Sequence, residues 1–138
     1  AIHEFSDLLT GARKKYLLGS KGSHGITHMF YYRLGNILPG LVFLNNSDGA
    51  MYDALIDFEP DDVLIAINGA RYTSSTVKFA QYVHSRVLCP ILSITDGKTS
   101  PLFPISDSCL FYQSTPITYN RTRVGIVALM NCIISVVF

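Results

Sequence analysis

The sequence predicts an α/β domain in which helices cover both faces of a parallel β-sheet. Apolar runs alternate with amphipathic stretches, and the connections between them are short, as in strand–helix–strand units. The clearest strand, Val63–Ile67, is a continuous apolar run rich in β-branched residues, which is typical of a strand covered on both faces. A length of 138 residues with 49% apolar residues fits one ordered domain around one core.

Each element follows from its local pattern. The predicted strands are the apolar runs at residues 16–18, 41–44, 63–67, 91–95 and 109–112. The predicted helices are residues 27–37, 48–58 and 73–85, and a last helix that starts near residue 122. Turn residues such as Gly19 and the pair Pro39-Gly40 separate these segments. No element is assigned before residue 16.

Charge and cysteine content narrow the function classes. The chain has 11 Lys and Arg against 10 Asp and Glu, so charge gives no reason to expect this segment to contact nucleic acid. The chain has an odd number of cysteines, Cys89, Cys109 and Cys132, and they form no C-x-x-C pair. We therefore expect reduced core thiols and no metal or redox site. With no visible signal peptide, the expected location is the cytoplasm.

The carboxyl-terminal run, residues 124–138, is strongly apolar. It is shorter than the roughly 20 residues that a membrane span needs, and Asn131 and Ser135 interrupt it. We therefore expect a buried or subunit-interface helix and no membrane contact. The chain does not begin with Met and ends without a polar tail, so we expect it to be part of a longer protein.

The loops after three predicted strands are candidate ligand sites, because ligands of parallel sheets bind beyond the carboxyl ends of the strands. The first loop contains Lys21, Gly22 and Ser23, which offer a positive charge, a backbone amide and a hydroxyl to an anion at a helix start. Its spacing fits neither the Walker A nor the dinucleotide-binding pattern. The alternative interpretation is a plain glycine-rich turn.

The second and third loops carry further candidates. In the second, Arg71 can grip a phosphate with two hydrogen bonds, and Thr73 can cap the next helix or donate to a phosphate, with Asn68 and Ser74 beside them. The alternative is a helix cap with an exposed arginine. In the third, Asp96 can contact a ligand hydroxyl or simply form a turn. Together the first two loops predict one anion pocket at two helix N-termini.

The chain resembles the SIS (sugar isomerase) domain over about residues 5–138. The resemblance rests on residues 62–67, on Ile94-Thr95-Asp96 followed by Ser100-Pro101-Leu102, and on residues 121–129, which resemble the final helix of RpiR-type transcription regulators. It implies a flavodoxin-like three-layer αβα sandwich with a five-stranded parallel sheet. It also implies that hydroxyls and backbone amides of the first and second candidate loops hold the phosphate of a sugar phosphate, with no cofactor.

The two candidate loops depart from the pattern of that family. The first-loop pattern G-x-G-x-S has Lys21 at its second glycine and keeps Ser23. Of the second-loop pattern S-x-S-G-x-T, only Thr73 remains. Lys21 and Arg71 can offset the lost hydroxyls with charge-assisted hydrogen bonds, or the pocket has changed or lost its ligand.

The distribution of acid–base residues favours a sensor over an enzyme. SIS isomerases need a general base, commonly glutamate, and often a histidine. The two glutamates, Glu4 and Glu59, do not follow a predicted strand, and His24 and His28 are either acid–base candidates or surface and subunit-contact residues. We assign no catalytic residue and no metal ligand.

The resulting hypothesis is a sugar-phosphate-sensing and oligomerisation domain of an RpiR-type regulator, whose family carries an N-terminal helix-turn-helix domain. The alternatives are a stand-alone phosphosugar isomerase and a degenerate scaffold that only dimerises. Phe30, Tyr31 and Tyr32 cannot all face one core, so at least one is expected at a subunit contact or in solvent, and a homodimer or tetramer is predicted.

Overall fold

The computed structural model describes residues 2–19, 24–44, 47–67, 74–112 and 124–137, and its centre is a five-stranded sheet. The strand order is β2-β1-β3-β4-β5, and every neighbouring pair is parallel. All five predicted strands are confirmed to within one residue at each end. Their bounds are Lys15–Gly19 (β1), Leu41–Leu44 (β2), Val63–Ile67 (β3), Ile91–Thr95 (β4) and Ser108–Phe111 (β5).

The helices lie between and around these strands. Their bounds are Ile2–Gly11 (α1), His24–Gly35 (α2), Ser74–Tyr82 (α3) and Val124–Val137 (α4). A 3₁₀ helix covers Ser47–Ile56, a π-helical turn covers Val83–Val87 and a short 3₁₀ turn covers Phe103–Ile105.

Two expectations about the helices are wrong. Residues 48–58 were expected to form an α-helix, but Ser47–Ile56 is a 3₁₀ helix with little separation of apolar and polar faces. Helix α1 was not predicted, although Phe5 and Leu9 stand four residues apart, as on one face of a helix. Both side chains are fully buried in the core, so packing against the rest of the domain stabilises this short helix.

Two apolar cores flank the sheet and make the fold a three-layer αβα sandwich, as predicted. One core lies under α1, α2 and α4, where Phe5 and Phe30 are the largest fully buried side chains. The other lies under α3 and the 3₁₀ helix, where Tyr16 stacks on Phe58 with ring centroids 3.8 Å apart. Every residue of β1, β3 and β4 is buried, which explains why these strands read as continuous apolar runs.

The three consecutive aromatic residues of α2 occupy three different environments. Phe30 is fully buried, and Tyr31 is half-buried with its ring edge-on to Phe43 at 5.6 Å. Tyr32 is 71% exposed. The prediction that they do not share one core is confirmed.

All three cysteines are free, and only one is a fully buried core thiol. Burial raises the pKa of Cys89 to about 12 and that of the half-buried Cys109 to about 11, so both thiols stay protonated near neutral pH. The expectation of a core thiol is wrong for Cys132, which is exposed because α4 turns Met130 and Ile133 inward. No described helix is long and apolar enough to cross a membrane.

Candidate functional site

The carboxyl edge of the sheet, which we define as the ends of the strands at Gly19, Leu44, Ile67, Thr95 and Phe111, brings two helix starts together. Gly19 and Ile67 are register partners on the neighbouring strands β1 and β3. Helix α2 begins after β1 at His24, and α3 begins after β3 at Ser74. These helices cover opposite faces of the sheet, so the strand order changes direction between β1 and β3, where open parallel sheets bind ligands.

Gly19 sets how closely α2 approaches β1. A Cβ atom at this position would lie 2.8 Å from Thr27 Cβ and closer still to Thr27 Oγ1. Thr27 is fully buried and β-branched, so it has little freedom to move away. Glycine therefore allows the first turns of α2 to sit directly on the end of β1.

Buried threonine hydroxyls surround the carboxyl edge. Thr27 in α2, Thr76 in α3 and Thr95 at the end of β4 are each fully buried. The Thr95 Oγ1 atom is buried without a hydrogen-bond partner. A buried hydroxyl normally finds a partner, so Thr95 leaves hydrogen-bonding capacity unmet at this edge among the residues that the structure describes.

Of the eight predicted ligand-binding residues, the structure describes two. Asp96 follows β4 directly and is half-buried at the carboxyl edge, and Ser74 is the first residue of α3. The remaining six lie outside the described residues: Lys21, Gly22, Ser23, Asn68, Arg71 and Thr73.

His24, the first acid–base candidate, begins α2, and its side chain lies outside what the structure describes. His28 is exposed on α2, and its ring packs edge-on against Phe43 at 5.3 Å. Glu59 lies before β3, away from the candidate loops as predicted, and it pairs with Arg13 at 3.2 Å between Oε2 and Nε. Glu4 is exposed on α1.

The amino edge of the sheet, the opposite ends of the same strands, carries an ionic network that sequence reasoning missed. The buried Asp62 carboxylate accepts hydrogen bonds from the backbone amides of Lys14 at 3.1 Å and Glu59 at 2.8 Å. It also accepts a bond from the Arg13 guanidinium at 2.9 Å. The Asp-Asp pair 61–62 before a strand was the available signal, because a buried carboxylate needs such partners.

Two further polar groups complete this edge. The Asp107 carboxylate accepts a 2.8 Å bond from the Ile91 amide at the start of β4. Lys15 is buried and donates from Nζ to the Pro39 carbonyl at 3.0 Å, and burial lowers the pKa of its ammonium group. The amino edge thus joins loops and strands through satisfied polar contacts.

A scan against protein-family models matches the SIS domain over residues 8–136, nearly the whole chain. The chain belongs to the SIS domain family. No curated protein matches the chain.

Solved structures share the fold of this SIS domain. The sugar isomerase domain of the RpiR transcription factor from Sphaerobacter thermophilus is 20% identical with a TM-score of 0.92, over 99% of this chain and 75% of that one. The Vibrio vulnificus NanR protein complexed with ManNAc-6P is 18% identical with a TM-score of 0.84, over 99% of this chain and 52% of that one.

A third similar structure is a Methanococcus jannaschii protein whose structure led to the inference of a 3-hexulose-6-phosphate isomerase function. It is 19% identical with a TM-score of 0.73, over 99% of this chain and 72% of that one. The similar structures thus include a domain of a transcription factor, a protein in complex with ManNAc-6P and a protein with an inferred isomerase function.

Proposed function

We propose that this SIS domain binds a sugar phosphate at the carboxyl edge and acts as the effector-sensing and oligomerisation domain of a cytoplasmic RpiR-type transcription regulator. The observation that carries the proposal is the pair of helix N-termini, α2 and α3, that follow the neighbouring strands β1 and β3. Two helix starts at one switch point offer backbone amides and favourable dipoles to a phosphate.

The residues around those helix starts suit a phosphate. Lys21 and Ser23 precede α2 in the sequence, and Arg71 and Thr73 precede α3. Lys21 and Arg71 stand where the family pattern has glycines, and their charge-assisted hydrogen bonds are stronger than those of the two neutral hydroxyls that the second loop has lost. The chain therefore keeps the means to hold an anion despite its altered second loop.

The positions of the glutamates favour a sensor over an isomerase. Glu59 is held by Arg13 at the amino edge, and five residues of β3 separate that edge from the candidate pocket. At roughly 3.3 Å per residue the strand is about 17 Å long, which is beyond the reach of a glutamate side chain. Glu4, the other glutamate, lies on α1.

The regulator role draws support from the similar solved structures. One is a part of an RpiR transcription factor, and another is NanR in complex with a phosphosugar, ManNAc-6P, of which this chain covers about half. In such a regulator, a ligand that binds one arrangement of the subunits more tightly shifts the population toward it. DNA-binding domains attached to the subunits would then change their spacing.

Exposed apolar and aromatic side chains on α2 and α4 support self-association. Tyr32, Met29 and Val136 are exposed by 71%, 37% and 37% respectively, and α4 contains no charged residue. Depletion of charge and exposed aromatic residues are typical of interface cores. Sedimentation should therefore give a dimer or tetramer, and a monomer at high protein concentration would contradict this part of the proposal.

A thermal-shift screen against sugar phosphates tests the proposed ligand, with free sugars and inorganic phosphate as controls. A ligand that binds only the folded state adds about 2.7 kcal/mol at a hundredfold excess over its Kd. We expect a rise in Tm with a sugar phosphate that disappears in Ser23→Ala and Thr73→Ala. A well-folded oligomer that responds to no sugar phosphate would favour the degenerate scaffold.

The isomerase alternative makes a different prediction in the same assay series. An isomerase would convert the sugar phosphate that stabilises it, and its turnover would disappear in His24→Ala or His28→Ala. Binding without turnover over long incubation supports the sensor.

A further inference from the structure

The hydroxyl of Thr95 differs from those of Ser93 and Ser100, on and after β4, because it has no hydrogen-bond partner among the described residues. Ser93, two residues earlier on the same strand, shares a hydrogen bond with Ser106. The Ser100 hydroxyl accepts a bond from the Leu102 amide at 3.3 Å. Thr95 is fully buried at the carboxyl edge, and its hydroxyl has no partner. Such a group is costly to leave unpaired, so a partner from outside the chain would satisfy it.

The direction of the Thr95 side chain follows from strand alternation. Ile91 packs in the core under α3, whereas Leu92 and Ile94 pack in the core on the other face. Thr95 therefore faces the α3 side, at the same end of the sheet as the start of that helix. Its register partner on β5 is Phe111, whose side chain offers no hydrogen-bonding group.

The position of β4 indicates which part of a ligand Thr95 would meet. A phosphate at the switch point lies between β1 and β3, and β4 is the next strand beyond β3. Neighbouring strands are about 4.8 Å apart, so the end of β4 lies about one and a half strand spacings, roughly 7 Å, from the proposed phosphate position. The carbohydrate part of the ligand is the part that extends from the phosphate over this distance.

We propose that Thr95 is a ligand-contact residue whose hydroxyl exchanges a hydrogen bond with a hydroxyl of the sugar and not with the phosphate. The inference rests on the proposed function and deepens it, because it separates recognition of the sugar from recognition of the anion. A threonine hydroxyl both donates and accepts, as a sugar hydroxyl does. Thr95 thereby selects sugar phosphates over free phosphate.

The test compares Thr95→Val with the natural protein in binding to ManNAc-6P, glucose 6-phosphate, fructose 6-phosphate and inorganic phosphate. Valine keeps the shape and removes the hydroxyl. We expect the Kd of the sugar phosphate that binds best to rise about tenfold, the equivalent of one net hydrogen bond, with the Kd of inorganic phosphate unchanged. The unliganded variant should melt a few degrees higher, because an unpaired buried hydroxyl has been removed.

Two further variants serve as controls. Thr95→Ser keeps the hydroxyl and should bind the sugar phosphate nearly as the natural protein does, even where the valine variant folds poorly. Tyr16→Phe removes another buried hydroxyl without a partner, in a side chain under the 3₁₀ helix whose pKa is raised by burial and by Asp62. It should also raise Tm, and it should leave every Kd unchanged.

The outcomes separate this inference from the proposed function. If the natural protein binds sugar phosphates and Thr95→Val binds them equally well, the contact is wrong and the proposed function stands. A parallel loss of affinity for inorganic phosphate would also overturn it, because Thr95 would then act on the anion. If the natural protein binds no sugar phosphate, the proposed function and this inference both fail.

Discussion

The two edges of the sheet are built from different chemistry although the same strands run between them. At the amino edge, the Asp62 carboxylate has three hydrogen-bond donors and Asp107 holds the start of β4. At the carboxyl edge, Thr27, Thr76 and Thr95 are buried, Gly19 allows α2 to approach β1 closely, and the Thr95 hydroxyl has no hydrogen-bond partner among the described residues. In the part of the chain that the structure describes, the charged groups of the amino edge have hydrogen-bond partners, whereas the carboxyl edge keeps a buried hydroxyl without one.

This difference indicates a division between stability and function. Polar groups that satisfy one another fix the loops and cannot take part in recognition without loss of stability. The carboxyl edge has a buried hydroxyl without a described partner and two helix starts, so a ligand that hydrogen-bonds there gains binding free energy. We therefore expect substitutions at the amino edge to lower stability and those at the carboxyl edge to change binding as well.

The largest effect is expected from Asp62→Ala at the amino edge. The change leaves the amides of Lys14 and Glu59 without their acceptor, and we expect the free energy of unfolding to fall by about 3 kcal/mol. Denaturant unfolding measures the loss. Asp61→Ala, at an exposed neighbouring carboxylate, is the matched control and should change stability little. Equal stability of the two variants would contradict the structural role of the amino edge.

The next effect is expected from Gly19→Ala at the carboxyl edge. The added methyl group would collide with Thr27 and displace α2, which should cost about 2 kcal/mol and remove sugar-phosphate binding together. Gly35→Ala, at the far end of the same helix, meets no atom within 4 Å and should keep both properties. Unaltered binding in a destabilised Gly19→Ala would show that the start of α2 does not form the pocket.

The smallest expected effect is on the pH dependence of the free energy of unfolding, and it comes from Cys89, beside the start of β4. Burial, helped by the charge of Asp62, raises the pKa of this thiol from 9.0 to about 12. The thiol therefore ionises in the unfolded chain first, and its contribution to stability is present below pH 9 and is lost as pH rises toward 12.

Denaturant unfolding at a series of pH values measures this contribution. We expect the stability of the natural protein to fall by about 1 kcal/mol more than that of Cys89→Ala between about pH 9 and pH 10. Cys132→Ala, at an exposed thiol, should keep the slope of the natural protein. Parallel slopes for all three proteins would mean that the Cys89 thiol is not held in a dry core.

The strands were predictable from the sequence, but the helices around them were less predictable. Strands β3 and β4 are apolar without interruption because both faces are covered, and this pattern is local. Helix α1 and the 3₁₀ helix Ser47–Ile56 escaped prediction, since short helices depend on packing against distant elements more than on their own residues. Cys132 was placed wrongly for the same reason: which side of α4 faces the core is a property of the packing.

Hydrophobic periodicity and motif spacing along the chain were enough to predict the α/β class, the five strands and the resemblance to SIS domains. It also pointed to the carboxyl edge, because every loop that follows a parallel strand meets there. Which buried polar groups find hydrogen-bond partners could be seen only in the folded chain. The partners of Asp62 lie up to 49 residues away in sequence, and the lack of a partner for Thr95 is visible only when all neighbours are in place.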